Sequence, residues 1–157
     1  MEFDIEVFKS EYEKKAKKYG LPSYESLLEE FDFEKVNYGS EVVVRVSRRY
    51  MLDKVHHALN FLEMLLNPVN LPRIYMPFVK SANSEDKKNM DKLYSDFGKL
   101  SLKGVSFEAG SSEKEEAELV KEIYKVWKQD QSMLKEVLNK VDSPNEDLSN
   151  KDKSYFG

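Results

Sequence analysis

The run Ser40-Glu41-Val42-Val43-Val44-Arg45-Val46-Ser47-Arg48-Arg49-Tyr50-Met51-Leu52-Asp53-Lys54-Val55-His56-His57-Ala58-Leu59-Asn60-Phe61-Leu62-Glu63-Met64-Leu65-Leu66 decides the fold. Within it Met51, Leu52, Val55, Ala58, Leu59, Phe61, Leu62, Leu65 and Leu66 recur at three- and four-residue steps, a stripe broader than a surface helix needs. A helix over 40–66, capped by Ser40, would be roughly 40 Å long and would sit centrally. Val42, Val43, Val44 and Val46 are β-branched and would also suit a strand. No second β-branched run exists to pair with them, and an unpaired strand leaves its backbone unsatisfied. Helix is therefore the expectation throughout.

Upstream, Ile5, Phe8, Tyr12, Ala16 and Tyr19 trace one helical face, and Gly20-Leu21-Pro22 supplies its stop. Ser23 can cap a short helix whose face is Tyr24, Leu27, Leu28 and Phe31, followed by a connector through Phe33 and Val36 to Gly39. Downstream, Pro68, Pro72 and Pro77 predict an irregular loop over 67–83. Leu71, Ile74, Tyr75, Met76, Phe78 and Val79 make that loop too apolar for a solvated linker. Ser84 should open the next helix, with Glu85 and Asp86 suited to its dipole and Gly104-Val105 as its stop. Ser112 and Glu115 form a capping box for a last helix running to about Val141. The expected architecture is all-α, a single-domain bundle of about five helices over residues 1–142 with a polar tail over 143–157.

The chain has 157 residues, 40% hydrophobic and 34% charged, with a net charge of −4 and no cysteine. That is enough chain for a core without disulfides, and the mild acidity argues against a general nucleic-acid coat. Acid in Met1–Glu6 does not suit a signal peptide, and no apolar window is long enough to span a membrane. A cytoplasmic location is the expectation. Residues 1–39 carry −4 and residues 40–82 carry +3, so the two segments could pair inside the fold.

All four arginines, Arg45, Arg48, Arg49 and Arg73, and both histidines lie within 45–73. Arginine is the planar cation suited to carboxylate and phosphate. Arg45, Arg48 and Arg49 at i, i+3 and i+4 would share one helical face. That face could hold phosphate, nucleic acid or an acidic partner, or pair with the acidic first segment, with Arg49–Asp53 as an intrahelical bridge. Asp53, His56 and His57 are candidate metal ligands, but adjacent residues on a helix point about 100° apart, and a di-iron bundle needs its carboxylate-x-x-His pattern twice. Asp130 and Gln131 break the apolar side of the last helix near Trp127. No phosphate loop or nucleophile elbow is present, and no cofactor is expected.

Three stretches resemble an uncharacterised family of small all-helical archaeal proteins. They are Leu21-Pro22-Ser23-Tyr24 leading to Glu29-Glu30-Phe31, the Arg48-Arg49 to Asn67-Pro68 helix, and Glu85-Asp86-Lys87-Lys88 leading to Leu93-Tyr94. The resemblance covers about a third of the chain. It implies a helical fold and no activity, and it assigns no functional residue.

The function expected from the residues is a non-enzymatic interaction module. Its contacts to a protein partner or a second copy would come from Ile74, Tyr75 and Phe78 together with the arginine face. Nucleic-acid or other anion binding through Arg45, Arg48, Arg49 and Arg73 is the alternative. A metal-dependent enzyme around Asp53, His56 and His57 stands third.

Overall fold

Capping chemistry sets the helix borders in the computed structural model, which describes residues 4–35 and 42–142. Asp4 accepts the Glu6 N–H at 3.0 Å and opens α1 (Ile5–Tyr19). Gly20, left-handed at φ 65°, closes it, and both its N–H and that of Leu21 return to the Ala16 carbonyl. Ser23 accepts the Ser26 N–H at 3.1 Å and opens α2 (Tyr24–Phe31). α2 ends on Asp32, a non-glycine residue at φ 53°, whose carbonyl accepts the Tyr50 hydroxyl at 3.0 Å. The turn Phe33–Lys35 then lays Phe33 against Phe8, Tyr24 and Tyr50.

The decisive stretch is helical from Val43: α3 spans Val43–Leu66, and no strand exists among the described residues. The expected Ser40 cap and the Val36–Gly39 connector lie outside the described residues, as does the 143–157 tail.

Two borders downstream differ from the sequence expectation. The 67–83 segment is not irregular: turns Pro68–Asn70 and Arg73–Tyr75 lead into α4 (Met76–Ser81), a sixth helix where about five were expected. Pro77 sits in the first turn of α4, where its missing N–H would have had no intrahelical partner and its fixed φ suits the helix. The proline read as a breaker is a starter. α5 (Ser84–Glu108) opens at Ser84 as expected, with Asn83 as its cap; Asn83 and Asp86 exchange bonds of 2.8 and 3.1 Å. It runs on, however, through Gly104 to Glu108. A Cβ at Gly104 would stand 2.4 Å from Leu52 Cδ1, so this glycine is where α3 and α5 close on one another. α6 (Glu113–Asp142) opens on the expected Ser112–Glu115 exchange, at 2.7 and 3.3 Å.

α3, α5 and α6 pack pairwise against one another, α1 packs on α2, α3 and α6, and α2 packs on α3. The buried side chains form one cluster that includes Phe8, Tyr12, Met51, Leu62, Phe97, Val120 and Trp127. Trp127 is stacked on Phe97 at 5.8 Å and tilted against Phe31 at 5.6 Å. The protein is all-α, and none of its described helices is long and apolar enough to cross a membrane.

Candidate functional site

The arginines of α3 occupy its first two turns, the positive end of the helix dipole, where cations are disfavoured unless carboxylates meet them. The carboxylates come from the α5–α6 junction. Arg48, 2% exposed, donates from Nε to Glu116 Oε2 at 2.6 Å and from Nη1 to Glu108 Oε1 at 2.8 Å. Arg45 donates to Glu116 at 3.2 Å, and Arg49 forks onto both Glu108 oxygens at 3.1 and 2.7 Å. Ser111 adds a 2.6 Å bond to Glu116, itself 1% exposed. Next to this network Glu113 takes Lys15 at 2.8 Å and the Tyr19 hydroxyl at 2.6 Å.

Electrostatics follow the geometry. Burial pushes the Glu116 carboxyl up, but the bonds from Arg48, Ser111 and Arg45 outweigh it and hold the group below its ordinary value. Arg49 and Arg48 bring Glu108 down to about 2. For Arg45 and Arg48 the expected pairing with the acidic 1–39 segment is corrected: their carboxylates belong to α5 and α6, and from the first segment it is Lys15 and Tyr19 that reach Glu113. An open three-pronged face is also absent here, because the Arg48 guanidinium is enclosed.

A second polar belt crosses α6 at the break that sequence inspection found. Asp130 is buried and accepts Lys92 of α5, while Gln131 and Lys128 both bond Glu30 of α2, at 2.8 and 2.5 Å. Lys54 of α3 bonds the Glu30 carbonyl and lies 5.3 Å from the Trp127 ring centre. Lys92, Lys128 and Glu30 gave no sequence signal, because they are ordinary surface-type residues on three separate helices.

The Asp53, His56 and His57 candidates are not brought together. Asp53 and His57 are exposed and His56 is half-buried on the same stretch of α3, and no group of three or more acidic or histidine residues among the described residues could hold a metal ion.

The 67–82 end carries the remaining candidates. Phe78 is buried, so it does not project as an exposed contact residue, and it lines the cleft of this end. Tyr75 is half-buried, edge-on to Phe61 at 5.5 Å. Ile74, by contrast, is 75% exposed, and Val69 82%. Arg73 is exposed and makes no ion pair among the described residues. A cleft of about 280 Å³ is lined by Leu65, Leu66, Pro68, Phe78, Val79, Ala82 and Met90 together with Lys87 and Asp91. No family model, curated protein or solved structure matches this chain.

Proposed function

We propose that the protein is a non-enzymatic self-association module that pairs through its 67–82 end. The observation that carries this reading is an exposed apolar residue, Ile74, on the same end of the molecule as an apolar cleft. Covering an exposed isoleucine and an apolar recess together removes apolar area from water, which favours association. A second copy covers both at once, since a two-fold pair lets each Ile74 fill the other's cleft. Arg73 adjoins the protruding residue in the chain, and Asp91, which lines the recess together with Lys87, is the counter-charge the recess offers it; neither Arg73 nor Asp91 makes an ion pair among the described residues. The absence of cysteine accords with a cytoplasmic setting.

Light scattering across a wide concentration range tests the proposal. The native chain should move from monomer to dimer as concentration rises. Ile74→Asp should abolish the dimer, and Asp91→Lys should weaken it. Combining Arg73→Glu with Asp91→Lys should restore it by exchanging the charges. A chain that stays monomeric throughout, or a dimer indifferent to Ile74→Asp, would overturn the reading.

A further inference from the structure

We infer that Asp96 of α5 and Asp130 of α6 hold one proton between them, with Lys92 clamped on the pair, so that the α5–α6 seam loosens when that proton leaves. One ammonium serves both carboxyls: Lys92 Nζ lies 2.7 Å from Asp96 Oδ2 and 2.9 Å from Asp130 Oδ1. Asp130 is 1% exposed, and its other oxygen, Oδ2, is buried with no hydrogen-bond donor among the described residues. Two ionised carboxylates would leave that oxygen desolvated beside a like charge, with a single cation for both. A proton on Asp130 turns the orphaned acceptor into a donor toward Asp96, which satisfies both groups.

The titration tendencies are consistent with this arrangement. Burial raises the proton affinity of Asp130 against the pull of Lys92, and the Asp96 carboxyl raises it further. Lys92 lowers that of Asp96, outweighing its own burial, with Asp130 and Lys99 acting in the same direction. Around the belt, α2 presents Glu30, already taken by Lys128 and Gln131, and α3 presents Lys54 over the indole of Trp127. A carboxyl held protonated by the fold contributes stability that is complete below its unfolded value and is lost as pH rises through its folded one. This seam therefore weakens as pH rises from the ordinary aspartate value through the raised value of Asp130, opposite in sense to the Arg48–Glu116 junction.

Carbon-13 NMR of the side-chain carboxyls in the intact chain reads the pair directly. Asp130 should titrate above the ordinary aspartate range and Asp96 below it; both titrating together within that range would overturn the inference. Asp130→Asn supplies a second readout, because an amide can accept from Lys92 and donate to Asp96 without a proton to lose. Its melting temperature should exceed that of the native chain by about 2–4 °C once pH is above the folded value of Asp130, with a flatter slope between the ordinary aspartate value and that one. A variant less stable by the same amount at every pH would count against the shared proton.

Discussion

Arg48 illustrates how one residue type admits opposite readings until its neighbours are known. Its spacing to Arg45 and Arg49 was legible as a shared helical face. Its partners were not, because Glu108 and Glu116 lie 60 and 68 positions further along the chain. Local periodicity carries no information about which of 29 acidic residues a fold will bring back to α3. The burial of both Arg48 and Glu116 makes the consequence of breaking the pair large. Arg48→Ala and Glu116→Ala should each cost about 3–5 kcal/mol in urea unfolding, since each strips a buried charge of its shortest bond and leaves Glu116 to Arg45 and Ser111, or Arg48 to Glu108. The double replacement Arg48→Met with Glu116→Leu should recover most of that loss, because an apolar pair removes the desolvation cost at both ends. An additive double mutant would show that the two side chains do not act as a unit.

At the scale of the element, α5 carries two interior glycines with opposite surroundings. Gly104 meets Leu52 at a distance no Cβ tolerates, whereas nothing stands within 4 Å of a Cβ built at Gly98. Gly104→Ala should therefore destabilise by about 1–3 kcal/mol through overpacking, and trimming Leu52 to valine should relieve part of the clash. Gly98→Ala should stabilise by about 0.4–1 kcal/mol, because it only reduces the freedom of the unfolded chain. Thermal melting of the two variants separates the cases by sign. In the sequence, Gly104 followed by Val105 resembled the stop at Gly20 and Leu21, yet only Gly20 takes the left-handed backbone. A glycine permits a helix to end but does not compel it, and close packing on a neighbouring helix decided which occurred. The same ambiguity applied to Pro77, whose place in the first turn of α4 depended on where the preceding turn ended.

For the whole molecule, acid should weaken the junction of α3 with α5 and α6. Glu108 falls from 4.5 to about 2 in the fold, and Glu116 and Glu113 are also lowered. A depressed carboxyl contributes stability that is present above its unfolded value and is lost as pH falls through its folded one. For Glu108 the window runs from about 4.5 down to about 2. The melting temperature should drop across it, and Glu108→Gln should flatten part of that drop. Half of the Glu108 side chain is exposed, so added salt should shrink its share. By itself the sequence determined the helical character of the chain, the caps at Gly20, Ser23 and Ser112, the apolar stripe of α3 and the polar break at Asp130. Each of these is encoded within a few residues, by periodicity or by a side chain bonding its own backbone. Only the tertiary structure decided that Arg48 is buried, that Phe78 faces inward while Ile74 does not, and that Lys92 bridges two carboxyls. Those outcomes depend on which helix faces meet, and that choice is made by packing among residues far apart in the chain.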